Sequence, residues 1–332
     1  MDIVLRIADD YLLDALWARA VPLSAFAEPH LAKLSNATAD AFSPLNVHNS
    51  VWGNLVAYLP HPPLPSNASL LAPSLSAWPR DYIPRQLLSL LLITLVGIFV
   101  LYFVFAGLSY QYIFNHEMMN HPRFLKNQVR LEIQTSLKAF PGMTLLTLPW
   151  FQAEVMGYSK LYDRVGEYGW TYFWLSIPGF LLFTDYGIYW VHRSLHHPLV
   201  YKYIHKPHHK WLIPTPFASH AFHFVDGYLQ SVPYHVFIFC FPLHRLLYLG
   251  LFVFVNFWSI LIHDSDMITG HFLEKIINGP AHHTLHHLYF TVNYGQYFTW
   301  ADRWGGSYRQ PVSDLDPYLE VKAAKEALRK TQ

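Results

Sequence analysis

The sequence predicts an all-α, polytopic membrane protein of about four transmembrane helices, with a cytosolic histidine-rich helical cap holding a dimetal site. Three observations predict it. Of 332 residues, 52% are hydrophobic and only 14% charged, against roughly 25% charged in a soluble domain. Leu87 to Leu108 carries no charge at all, and about 20 apolar residues cross a bilayer's hydrocarbon core. Histidine is anomalous: of 21, sixteen lie between His192 and His287. The formal charge of +1 gives no reason to expect a polyanion such as nucleic acid as a partner. Cys240 is the single cysteine, which excludes a disulfide framework and a thiolate metal site.

In chain order, residues 1–86 read as an N-terminal lumenal or peripheral extension. Its start (Ile3, Leu5, Ile7, Leu12, Leu13, Leu16, Trp17) is amphipathic and predicts a helix. Asp9, Asp10 and Asp14 interrupt the apolar residues, unlike the layout of a signal peptide. Pro60 to Pro79 is rich in Pro, Ser and Asn and reads as irregular. Residues 87–310 form the expected membrane-embedded catalytic domain, and 311–332 a cytosolic tail. Further apolar runs at 139–158, 169–191 and 227–262 are expected helices, because a bilayer does not tolerate lipid-exposed loops. Pro141 and Pro149 interrupt the first of these, and Pro242-Leu243-His244-Arg245 should break the last into two passes.

Loop charges set the orientation. The connection 109–138 holds Arg123, Lys126, Arg130 and Lys138 against Glu117 and Glu132. The connection 192–226 holds Arg193, Lys202, Lys206 and Lys210 against Asp226 alone. The positive-inside rule makes both cytosolic and the N-terminus lumenal. Two sequons, at Asn36 and Asn67, fall on that lumenal side. If 227–262 enters the membrane and returns, everything after His263 shares a face with His192.

Three dense histidine strings then meet: His192 to His197, His205 to His209, and His282 to His287. On a helix, residues at i, i+3 and i+4 share a face, so each string presents several imidazoles together. Convergent neutral imidazoles suit iron, zinc, copper or nickel. One catalytic ion takes about three protein ligands, and eight or more well-spaced histidines suit two. Isolated histidines such as His30, His61 or His235 read as ordinary surface or core residues. Asp185, Tyr189, His192 and His196 form one helical stripe. Asp185 is therefore the expected hydrogen-bond acceptor behind a ligand, with Asp226 and Asp264 as further candidates.

Cutting an unactivated C–H bond requires a strong oxidant, which metal-bound oxygen supplies and side chains do not. A membrane site implies a lipid substrate. The chain has no Gly-rich dinucleotide fingerprint, so electrons should come from a separate protein on the cytosolic face. A metal transporter, by contrast, would place ligands at mid-membrane on discontinuous helices; here the strings follow helix ends beside Arg193, Lys202, Lys206 and Lys210.

His192 through Asp226, His282 through Tyr308 and the lead-in Asp185-Tyr186 to His192-Arg193 resemble the sterol C5-desaturases of the fatty-acid hydroxylase superfamily. The resemblance covers about residues 168–310. It implies an endoplasmic-reticulum membrane enzyme that introduces the C5=C6 double bond into a Δ7-sterol from the bilayer. It also implies O₂, two non-haem iron ions, and electrons relayed from NAD(P)H through a reductase and cytochrome b5. The family's boxes fall on His192 and His196, on His205, His208 and His209, and on His283, His286 and His287. His197 stands beside the first box, and His282 is an expected bystander of the third. His263, which ends the returning helix at the depth of His192, is added as a ligand. His220 and His223 are expected at the metal or just behind it. The long N-terminal extension fits a fungal source. Sterol C4-methyl oxidases and fatty-acid hydroxylases share these boxes and form the alternative reading.

Overall fold

The computed structural model describes residues 1–26, 51–63 and 75–330; both sequons, Asn36 and Asn67, lie outside them. The described chain is mostly helical and divides into two units.

The first unit comprises Met1–Ile93 and Phe151–Met156. The amphipathic start forms α1 (Asp2–Ala8) and α2 (Asp14–Ala20), joined by one wide turn at Asp9–Leu13. The acids that interrupt the apolar pattern are paired rather than merely solvated. Arg85 donates to the buried Asp9 at 2.8 Å and also contacts Asp14. Val21, Leu23, Ala25, Val56, Ala77 and Trp78 form a small core, including part of α3 (Val51–Val56). The Trp78 indole N–H donates to the Pro60 carbonyl at 3.0 Å. The described ends of the Pro-rich stretch are thus irregular in backbone but packed.

Next comes α4 (Ile83–Tyr112), which contains the uncharged run. Among the described residues it is the one helix long and apolar enough to cross a membrane. Leu88, Leu92, Val96, Val100, Val104 and Leu108 are all exposed at four-residue spacing, an apolar stripe suited to lipid.

The second unit comprises Thr94–Trp150 and Gly157–Gln332. Its long helices are α5 (Gln128–Val155), α6 (Gly169–Leu195), α8 (Phe224–Cys240) and α9 (Arg245–Leu261). Pro141 and Pro149 do not end α5, which runs through both. Helix α6 packs along α8, and a Cβ on Gly187 would come within 2.8 Å of Pro233, so only glycine permits this approach. Phe180, Ile188, Tyr234, Phe237 and Ile238 fill the seam. The apolar run at 227–262 breaks between Cys240 and Arg245, where β2 (Leu243–His244) pairs in parallel with β1 (Leu161–Tyr162).

Short helices complete the unit: α7 (Pro198–Tyr201), α10 (Pro280–Tyr289), α11 (Trp300–Trp304) and α12 (Tyr318–Lys330). The C-terminal segment expected as a tail is docked. Val321 is buried with Phe114, Met118 and Ile213, and Arg123 pairs with Glu320 at 2.6 Å.

Candidate metal centre

Four elements deliver histidines to one place. The last turns of α6 carry His192 and His196 on one face. The second string was expected on a helix, but α7 is a single turn and 202–210 continue as successive turns. The backbone N–H groups of His208 and His209 both reach the His205 carbonyl, at 3.0 and 3.3 Å, so the three side chains still gather. His263 follows the end of α9. Helix α10 starts with Pro280 in its first turn, a favoured position, and carries His283, His286 and His287.

The nine imidazoles fall into two adjoining sets: His192, His196, His205, His209 and His286, and then His208, His263, His283 and His287. In the first set, Nε2 of His192 and His205 are 3.1 Å apart, His205 and His209 3.0 Å, and His209 and His286 3.1 Å. In the second, Nε2 of His263 lies 3.0 Å from His283 and 3.3 Å from His208. Two nitrogens bound to one ion at about 2.0–2.1 Å sit about 3.0 Å apart at a right angle and about 3.4 Å apart at the tetrahedral angle. The spacing fits ligands sharing an ion.

Tautomers sharpen that fit. A neutral imidazole has one N–H. His192 must use its own at Nδ1, which donates to the Tyr294 carbonyl at 3.0 Å. His205 likewise donates Nδ1–H to the Asp226 carboxylate at 2.7 Å. Their Nε2 atoms are then two facing lone pairs at contact distance, which repel unless a cation lies between them. His286 donates Nδ1–H to the Val292 carbonyl at 2.7 Å, and His263 to Ser259 at 2.5 Å, so their Nε2 atoms also present lone pairs to the cluster. Burial, reinforced by the neighbouring imidazoles, holds His208, His209, His283, His286 and His287 well below the ordinary histidine pKa. They are neutral donors at pH 7, the form a metal needs.

Of the three candidate acids, Asp226 is the one that meets a clustered imidazole; its second oxygen accepts from Gln230 at 2.7 Å. Asp185 corrects the sequence reading. Its carboxylate accepts the backbone N–H groups of Gln296, Tyr297 and Phe298 at 3.0, 2.7 and 3.2 Å instead of a histidine. Asp302 accepts Tyr294 and Gly295 N–H, both at 2.8 Å. Together they clamp the loop whose Val292 and Tyr294 carbonyls hold His286 and His192. A Cβ on Gly295 would meet the Phe298 carbonyl at 2.6 Å, so this tight loop requires glycine there. Asp264 accepts from Asp266 N–H, and burial pushes its pKa up to about 7.

The remaining candidates lie outside both sets. His197 is exposed and caps α7. His223 caps α8 through the N–H of Val225. His220 is buried between Ser219 and Asn256. His282 is buried against Tyr308. Sequence reasoning missed the loop carbonyls, which no side chain announces, and Glu132. This buried carboxylate receives Gln128 at 2.8 Å and the hydroxyl and N–H of Thr215. It pins the segment after the second string; the signal was a Gln128/Glu132 pair at i, i+4.

Fold and site define a class: a helical, membrane-associated histidine-cluster protein of the fatty acid hydroxylase type, and the model of that family, described as fatty acid hydroxylase, matches residues 177–307. A Delta(7)-sterol 5(6)-desaturase of Gibberella zeae is 57% identical over 246 residues, covering 74% of this chain and 76% of its own length. The human lathosterol oxidase is 56% identical over 240 residues, 72% of this chain and 80% of its own. A Delta(7)-sterol 5(6)-desaturase of Leptosphaeria maculans is 50% identical over 327 residues, 95% of this chain and 88% of its own. The chain belongs to the family of Δ7-sterol 5(6)-desaturases and lathosterol oxidases. No solved structure matches it.

Proposed function

We propose that this chain is an oxidoreductase that introduces the C5=C6 double bond into a Δ7-sterol, using O₂ and electrons from cytochrome b5 and its NAD(P)H-dependent reductase. The observation that carries the reading is the pair of adjoining histidine sets in a chain 57% identical to a sterol 5(6)-desaturase. Two non-haem irons, one per set, supply the oxidation of an unactivated C–H bond when bound. His192, His196, His205, His209 and His286 would hold one, and His208, His263, His283 and His287 the other. Asp226 and the carbonyls of Tyr294, Val292 and Ser259 fix the tautomers of His205, His192, His286 and His263, so these four rings present a lone pair without rearranging. Burial of eight of the nine rings limits the access of bulk water to the site.

The location follows the same reasoning. The protein is a multi-pass endoplasmic-reticulum protein with cytosolic histidine boxes and about four spans, drawn from α4, α5, α6 and the α8–α9 pair. Two 17-residue helices, each about 25 Å long, suit a segment that enters and returns. The gathering of His192 and His283 in adjoining sets supports that return.

Sterol analysis of cells lacking this protein tests the activity. Accumulation of 5,6-saturated Δ7-sterols is expected; accumulation of 4-methylsterols or loss of hydroxylated acyl chains overturns it. The purified protein should carry about two irons per chain. In sealed microsomes, added protease should cut near Lys210 and spare the N-terminal segment; the reverse pattern overturns the orientation.

A further inference from the structure

We propose, on the desaturase reading above, that the surface carrying Tyr201 is where reducing equivalents enter, and that an acidic one-electron carrier protein docks there. Of the nine gathered histidines, His196 is the one that is not fully buried. The Tyr201 ring lies 5.4 Å from the His196 ring and 5.9 Å from that of His209. Phe290 lies 4.9 Å from His209 and 6.4 Å from Tyr201. Both aromatic residues are half-buried, touching the cluster on one side and solvent on the other.

The same turns expose a surface built like a transient interface. Leu199 and Tyr203 are 78% and 69% exposed, an apolar centre. Lys202 and Lys206 are exposed in these same turns, Arg193 and Lys210 are exposed in the flanking sequence, and no Asp or Glu occurs from Tyr186 to Val225. An apolar core with a charged rim is the anatomy of a protein interface, and small contacts are usual for redox encounters. A basic segment of this kind selects an acidic partner and speeds its arrival.

The reaction requires such a partner. Removing two hydrogens from the sterol and reducing O₂ to two waters leaves two electrons and two protons to be supplied. The carrier delivers the electrons one at a time across the Tyr201 edge, and water supplies the protons. A basic aromatic surface would also suit an anionic bilayer, but the contact between Tyr201 and His196 favours the redox protein.

The test uses the full chain in neutral-lipid nanodiscs with reduced cytochrome b5 as the probe, following binding and the sterol-dependent oxidation of the probe separately. The Lys202→Glu/Lys206→Glu variant should raise the Kd and the KM for the probe by about tenfold at low salt. The gap should close as salt is added, with the saturating rate and the sterol KM unchanged. The Lys202→Arg/Lys206→Arg variant should behave as wild type. Tyr201→Leu should lower the saturating rate of probe oxidation with binding unchanged, and Tyr201→Phe should restore it. An unchanged Kd in the glutamate variant overturns the docking face, as does a loss confined to binding of anionic vesicles. Wild-type protein that binds the probe in a charge-dependent way, yet oxidises none when sterol and O₂ are added, overturns the desaturase reading and leaves the docking face standing.

Discussion

The two histidine sets are built from the same side chain but are held differently. In the five-histidine set, His192, His205 and His286 donate their outer N–H to Tyr294, Asp226 and Val292. A carboxylate stands behind one of them, which raises the basicity of the ligating nitrogen. In the four-histidine set, His263 is braced by Ser259, while the Nδ1 atom of His208 is buried with no partner. The first set also contains an unbraced ring, since the Nδ1 atom of His209 is buried with no partner, but three of its five rings are held in tautomer and direction before an ion arrives, against His263 in the second. On the proposed two-iron reading, the difference predicts that the five-histidine set keeps its ion more tightly than the four-histidine set.

The largest effect expected is from His286→Ala, which takes a braced ligand from the tighter set. Turnover should fall below detection and iron content should drop by about one per chain, while the protein still inserts. Retained turnover with full iron would break the ligand assignment. Next is Asp226→Asn, which should lower metal affinity in the five-histidine set by roughly 10–100-fold and so reduce the inequality. A chelator titration reads it directly. Wild type should release its iron in two phases, the four-histidine set first, and the variant in phases drawn together. A single unchanged phase in both proteins would show that the bracing makes no difference to how the ions are held.

The sequence made the strings legible because histidine is rare enough for sixteen in a third of the chain to stand out, and helical spacing turned the strings into faces. All nine residues singled out as ligands are gathered in the structure. What stands behind them was less legible. A stripe from Asp185 to His196 correctly shares a helix face, but a long α6 lets Asp185 meet the 296–298 backbone before any imidazole. The carbonyls of Tyr294, Val292 and Ser259 have no sequence signal, since every residue owns one. Proline misled in both directions. Pro141 and Pro149 are accommodated inside α5, whereas the second string, which contains Pro207, does not form the expected helix.

The corrected place of Asp185 changes what its loss should do. Asp185→Asn keeps an acceptor but removes the charge that strengthens three backbone hydrogen bonds, a cost of about 1–3 kcal/mol. Thermal stability should fall while the iron content stays near that of wild type, because Asp302 still holds Tyr294 and Gly295. A tenfold loss of metal affinity with unchanged stability would return Asp185 to the role its stripe suggested.

His197 gives the smallest and sharpest contrast with its neighbour. It follows His196 directly, but its backbone is extended (φ −61°, ψ 134°) where that of His196 is still helical, so the two side chains leave the end of α6 differently. Its ring accepts the Leu199 N–H at 3.4 Å and starts α7. His197→Ala should therefore cost about 0.5–1 kcal/mol as a lost cap and leave both irons in place. His196→Ala, one position earlier, should remove a ligand. If iron analysis shows the two variants losing metal alike, the α6 terminus is wound differently and the division into five and four histidines fails with it.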